Sequence, residues 1–168
     1  PGSGELNDTW EWDGANWTSQ WTPSAPIGRT GHAMAFNAVD GRVLMMGGRS
    51  GFTTHLNDTW EWNGTTWTQR RPAVAPAARS DHGMAFDAAR GQVVMFGGAF
   101  WPISQDFPLT FGDTWVWDGN AWALKSQANP PPPRIDPQLF FDSTRSRLLL
   151  FGGFNTTPAA DGGYDDMT

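Results

Sequence analysis

Three arginines, Arg29, Arg79 and Arg134, each follow a tryptophan (Trp17, Trp67, Trp122) by 12 residues. Guanidinium groups repeated in this way could converge on an anionic ligand through forked, charge-assisted hydrogen bonds. They could equally tie loops to neighbouring backbone, and their presence in every copy favours that role. His32 and His82 sit three residues after the first two arginines, one per unit, and read as hydrogen-bonded scaffold. His55 falls outside this pattern, a single imidazole with no obvious partner. The segment AFWPISQDFPLTFG at 99–112 gathers Phe100, Trp101, Phe107 and Phe111 around Asp106. Exposed aromatics on a loop are candidate binding hot spots, unless they serve to pack the loop onto its own support. The candidate partner contacts are therefore Trp101, Phe100, Asp106, Phe107, Phe111, His55, Arg29, Arg79 and Arg134.

Catalysis needs titratable groups that converge, and the sequence does not announce them. There is no HExxH, GxSxG or phosphate-loop motif. Zero cysteines exclude disulfides, thiolate metal sites and a cysteine nucleophile. No catalytic residue, metal ligand or cofactor is expected.

The elements that must position these residues are repeated ones. LNDTWEW at 6–12 recurs unchanged at 56–62 and as FGDTWVW at 111–117. GHAMAF at 31–36 returns as DHGMAF at 81–86 and more loosely as DPQLFF at 136–141, while MMGG, MFGG and LFGG close the next run in each copy. From the third tryptophan of a copy to its glycine pair the spacing is constant; only the stretch from that pair to the next tryptophan varies, from Gly47–Trp60 (13) to Gly97–Trp115 (18). One loop absorbs the whole insertion, as expected of a rigid repeated scaffold with a variable connection. Gly31 stands where the later copies have Asp81 and Asp136, a difference that the sequence leaves unexplained.

Nine of the eleven tryptophans keep one spacing: Trp10, Trp12, Trp17; Trp60, Trp62, Trp67; Trp115, Trp117, Trp122. Residues at i and i+2 share one face of a strand, and Asp13-Gly14, Asn63-Gly64 and Asp118-Gly119 signal a hairpin before the third tryptophan. A two-residue turn would set Trp10 opposite Trp17; a four-residue loop would set Trp12 opposite Trp17. All nine are expected to be core. A second hairpin precedes this one, with turns at Asp40-Gly41, Arg90-Gly91 and Arg145-Ser146 and continuous apolar runs that suit strands covered on both faces. The glycine pairs mark close backbone approach or a sharp turn. No stretch has helical periodicity, so each unit reads as four short strands.

Composition agrees with this and limits the function. At 168 residues the chain has room for one ordinary domain. Its charge of −6 argues against a nucleic-acid or anionic-membrane surface. Charged residues make up only 17%, but 14% are aromatic, which argues against disorder. No apolar run approaches the ~20 residues needed to span a bilayer, and no basic-then-apolar leader opens the sequence. One lysine against ten arginines, with no cysteine, fits an exported protein, so an extracellular or cell-surface place is expected.

An arginine three residues before a histidine, an apolar hairpin ending in Gly-Gly, then Asn-Asp-x-Trp-x-Trp and a later Trp together resemble the kelch repeat, over essentially the whole chain. The departures are Pro137 in place of the histidine, and Thr168 where a Trp would follow YDDM. The resemblance implies an all-β propeller whose four-stranded antiparallel blades, strands A to D from the channel outward, surround a central channel. The chain would then hold about three blade-equivalents: strands C–D of a first blade at 1–22, a second blade at 29–70, a third at 79–125, and strands A–B with the start of C at 134–168. The arginines would lie at the channel mouth. The B–C loops (49–57, 99–112, 154–164) and D–A loops (20–29, 70–79, 125–134) would share one face, the face through which kelch proteins commonly bind partners. The expected function is a non-catalytic binding or scaffold module for a protein or glycan partner. Alternatives are part of a carbohydrate-active propeller enzyme with its catalytic groups elsewhere, or a self-assembling subunit. A copper-radical oxidase of the galactose oxidase kind is excluded for this segment by a single tyrosine, Tyr164, and no cysteine. The half-blades at both ends imply either a longer chain or self-association of two copies into one six-bladed ring.

Overall fold

Short runs of apolar residues separated by Asp-Gly and Asn-Gly pairs favour strands over helices, and among the described residues every regular element is a strand. The structure, a computed structural model, describes residues 4–104 and 107–155. Two four-stranded antiparallel sheets form its centre. The first is built from β3 (Ala33–Asn37), β4 (Arg42–Met46), β7 (Thr59–Trp62) and β8 (Trp67–Arg70) in that order; the second from β9 (Gly83–Asp87), β10 (Gln92–Phe96), β13 (Thr114–Trp117) and β14 (Trp122–Lys125). They are flanked by two hairpins, β1 (Thr9–Trp12) with β2 (Trp17–Gln20), and β15 (Gln138–Asp142) with β16 (Arg147–Phe151). This is a partial propeller. The innermost strands β3, β9 and β15 lie side by side along the channel. The start of a further strand expected near the C-terminus, with Tyr164 and Thr168, lies outside the described residues.

The hairpin register is that of the four-residue loop: Trp12 faces Trp17, Trp62 faces Trp67 and Trp117 faces Trp122. The reason is side-chain chemistry at the turn. Oδ1 of Asp13, Asn63 and Asp118 accepts the backbone N–H groups two and three residues on, at 2.7–2.9 Å, which closes a wider loop than the Asp-Gly pair alone would make. Each facing pair brings its rings to 5.5 Å in a tilted arrangement.

The main core fills the gap between the two full sheets. Leu44 and Met46 of β4 pack on Met84, Val93, Met95, Trp115, Trp117 and Trp122 of the next sheet. Indole N–H groups stitch neighbours together: Trp67 donates to Thr9 Oγ1 at 2.8 Å and Trp122 to Thr59 Oγ1 at 2.9 Å. Six of the nine registered tryptophans are buried. Trp10, Trp12 and Trp17 are not, which corrects the expectation that all nine are core: among the described residues no sheet covers them as the first full sheet covers Trp115, Trp117 and Trp122. β16 departs similarly. Its alternate residues are exposed, whereas most of β4 and β10 is buried.

The glycine pairs act at the contacts between sheets. Gly47 and Gly48 have φ of +66° and +93°, and a Cβ there would fall 2.7 Å from the Arg79 carbonyl and 2.8 Å from that of Thr30. The bare backbone lets Gly48 N–H donate to the Arg79 carbonyl at 2.9 Å. The sequence hides two small hairpins, β5 (Arg49–Ser50) with β6 (Thr54–His55) and β11 (Ala99–Phe100) with β12 (Leu109–Thr110). The loop between β5 and β6 is 51–53, that between β11 and β12 is 101–108, and the five additional residues all fall in the second.

Candidate functional site

The three arginines do not form a ring of open cations. Arg29 and Arg79 are buried, each bridging a loop to the strand C of its own sheet. Arg29 grips Asp58 with Nη1 at 2.6 Å and Nη2 at 2.8 Å and donates to the Gly47 carbonyl at 2.9 Å. Arg79 repeats this on Asp113, at 2.5 and 2.9 Å, and on the Gly97 carbonyl at 3.0 Å. Arg134 keeps the equivalent bonds to the Pro132 and Gly152 carbonyls but is more exposed. The tying role is thus what Arg29 and Arg79 perform. Their carboxylate partners are residues that the arginine spacing alone does not pick out, although an Asp two residues before the first tryptophan of each copy is the signal. Burial alone would raise the carboxyls of Asp58 and Asp113, but the hydrogen bonds and charge of the arginine, with an indole N–H from Trp60 or Trp115, outweigh it and hold both below the usual carboxylate range.

His82 is buried between sheets, with the Met46 backbone beside its ring but no well-formed hydrogen bond at either nitrogen, which corrects the expectation of a hydrogen-bonded scaffold histidine there. Burial first, then the charge of Arg79 and the neighbouring His32, push its pKa down to about 3. His32 and His55 are lowered too, each chiefly by burial and then by a nearby arginine. An imidazole kept neutral in the fold but protonated near pH 6.5 in the unfolded chain contributes stability above pH 6.5 that is lost as the pH falls toward the folded value. Stability should therefore decline below pH 6.5, with up to about 1.4 kcal/mol per pH unit for each such histidine. Thermal melts between pH 7 and pH 4.5 of the wild type and of His82→Phe check this: the variant should show a shallower decline.

At the channel mouth Gly31, Asp81 and Asp136 occupy one repeat position with φ of +63°, +58° and +54°. Asp81 N–H donates to the Gly31 carbonyl at 2.7 Å and Asp136 N–H to that of Asp81 at 2.8 Å, an inner chain of backbone bonds. The left-handed φ suits glycine at 31, and a Cβ there would displace the Asp81 carboxylate. Partial burial, then the charge of Asp81, raise the Asp136 carboxyl. Among the described residues no group of three or more His, Asp or Glu side chains is placed to hold a metal ion.

The aromatic insertion divides into an anchored base and an open tip. Phe111 lies under the Arg79 guanidinium, 3.8 Å from ring centre to Cζ, and Phe100 packs on the His55 ring at 4.9 Å. His55 Nε2 accepts the Trp101 backbone N–H at 3.4 Å, so the loop of one sheet rests on the small β5–β6 hairpin of the other. Beyond this base the side chains of Trp101, Ile103, Phe107 and Leu109 are exposed. Asp106 lies outside the described residues. Ile103 and Leu109 join the aromatic set only in three dimensions; no periodicity marks them.

Over residues 2–167 the chain matches the KLHDC2/KLHL20/DRC7 Kelch-repeats domain. No curated protein matches it. Among solved structures it is similar to that of YjhT, with 16% identity and a TM-score of 0.60 over 87% of this chain and 43% of that one. The chain thus spans less than half the length of YjhT, and at this identity the likeness concerns the fold.

Proposed function

The chain belongs to the kelch-repeat family, and from that premise we propose that it is a non-catalytic binding module that takes a protein partner on its loop face, centred on the β11–β12 loop. The observation that carries this reading is the contrast within 99–112: the base is fixed by Arg79 and His55, while Trp101, Ile103, Phe107 and Leu109 face solvent. A pre-ordered base lowers the entropy cost of binding, and clustered aromatic and aliphatic side chains are what a protein hot spot needs. A glycan would be better served by one flat ring flanked by polar groups, so the mixture here favours a protein surface.

The test uses a random peptide display library and a glycan array, each probed with the wild type and with Trp101→Ala/Ile103→Ser. Enrichment of apolar peptides by the wild type, at least about tenfold weaker in the variant, is the expected result. The melting temperature should stay within about 2 °C, because the replaced side chains are exposed. Enrichment that survives the double substitution sinks the reading, and a glycan signal lost in the variant would transfer the site to carbohydrate.

A further inference from the structure

We propose that His55 is a proton-operated latch for the β11–β12 loop: uptake of one proton on its Nε2 frees the loop tip and releases the apolar protein surface held there. The release rests on the loop-face reading; the latch itself does not, and is measured on the protein alone.

The base of the segment 99–112 is fastened mostly by groups that do not titrate near neutral pH. Ala99 and Ser80 exchange backbone hydrogen bonds at 2.8 and 2.9 Å, Phe111 N–H donates to the Gly98 carbonyl at 2.8 Å, and the Phe111 ring lies under the Arg79 guanidinium. At Trp101, where the exposed tip begins, the fastening changes. Its backbone N–H donates to His55 Nε2 at 3.4 Å, a long bond and so an easily lost one. This bond crosses from the loop of the second sheet to the β5–β6 hairpin of the first.

Only a neutral imidazole can make it. One ring nitrogen is then free to accept, whereas an imidazolium donates at both. With Nε2 protonated, two N–H groups point at each other beside a ring that is 9% exposed and packed on Phe100, so water cannot come between them unless one moves. The Trp101 end gives way, because His55 is held in the β5–β6 ladder opposite Arg49. An imidazole is not a requirement of such a hairpin: in the corresponding place β12 carries Thr110, opposite Ala99.

The groups facing the ring set where this happens. Among the described residues they are Arg49 on β5, the Thr53 backbone in the turn, Asp81 ahead of β9, and Phe100 and Trp101 at the β11 end of the loop. Burial and Arg49 oppose a charge on the ring and outweigh Asp81 and Thr53, which favour it. The ring is therefore neutral, and the latch closed, at pH 7. Freed from the loop, the ring returns toward the ordinary histidine value of about 6.5. The closed form is thus favoured above that pH and is lost as the pH falls toward the lowered value.

NMR on the free, whole chain tests the latch. The His55 ring titration and hydrogen exchange at the Trp101 amide should share one midpoint below about pH 6.5, with amide protection falling about tenfold per pH unit beneath it. His55→Gln keeps an acceptor but takes up no proton, and its Trp101 protection should not vary with pH. Arg49→Gln leaves the ring in place and should raise both midpoints together. An apolar peptide recovered from the display library at pH 7 then tests release. Its affinity should fall with the same midpoint, about tenfold per pH unit, for the wild type and not for His55→Gln. Trp101 protection that ignores the His55 titration overturns the latch, whether or not a peptide binds. Protection that follows the titration while peptide affinity stays constant overturns the release. Protection that follows it when no peptide is captured upholds the latch and removes the loop-face reading.

Discussion

Replacing Arg79 by alanine is expected to lower the melting temperature by about 10 °C. The guanidinium is buried and makes four hydrogen bonds, two to Asp113 and one each to the carbonyls of Gly97 and Ala77, while its face covers Phe111. Removing one member of a buried pair leaves the other charge and the freed carbonyls without compensation, at about 3–5 kcal/mol. Arg79→Lys keeps the charge but not the fork that spans both carboxylate oxygens, and should fall between the two. Arg145→Ala is the reference. Its salt bridge to Asp142, at 2.6 Å, is about as short, but both side chains reach solvent, so the loss should be below about 1 kcal/mol. Equal losses at Arg79 and Arg145, read from thermal melts at pH 7, would refute the view that Arg79 is the clamp between loop and sheet.

The second large effect concerns two tryptophans at one repeat position. Trp117 is 0% exposed and packs on Trp122 and the methionines between the sheets. Trp117→Ala should cost about 3–5 kcal/mol. Trp12, in the same place on β1, is 51% exposed. Trp12→Ala should cost roughly half as much, because half of that side chain is already in water. Denaturant titrations of both variants measure the difference, and a cost for Trp12→Ala matching that of Trp117→Ala would show β1–β2 to be far better covered than its exposure implies.

These two tryptophans also show how far a sequence can be read. Strand identity and the facing of Trp10 and Trp12 follow from spacing, because a strand's period of two is local. Burial is not local. It depends on which sheet stands opposite, so identical LNDTWEW segments are open in one copy and covered in the other. The hairpin register needed the Asp and Asn side chains at the turn, whose bonds to the following N–H groups compete with the tighter turn that Asp-Gly suggests. The recurrence of Arg29, Arg79 and Arg134 pointed to a tying role, yet the carboxylates that Arg29 and Arg79 hold lie 29 and 34 residues on and are found only through the fold. Of the loop face, the aromatic residues could be named in advance; their division into anchored Phe100 and Phe111 and exposed Trp101 and Phe107 could not.

The letter-for-letter identity of Leu6–Trp12 and Leu56–Trp62 bears on how the chain reaches this fold. During folding, two identical segments compete for the single open edge of β4. The correct choice closes the connection 47–58 and the wrong one closes 13–41, and the entropic preference between loops of those lengths is only about 0.8 kcal/mol. Discrimination must come from residues outside the heptapeptide, above all Arg70, which joins Arg42 on Glu61 where the other copy offers Gln20. That contact lies within the β7–β8 hairpin, between residues nine apart, so it can be in place before the hairpin reaches β4. The order of assembly, hairpin first and sheet second, is then what keeps the two identical segments from being exchanged.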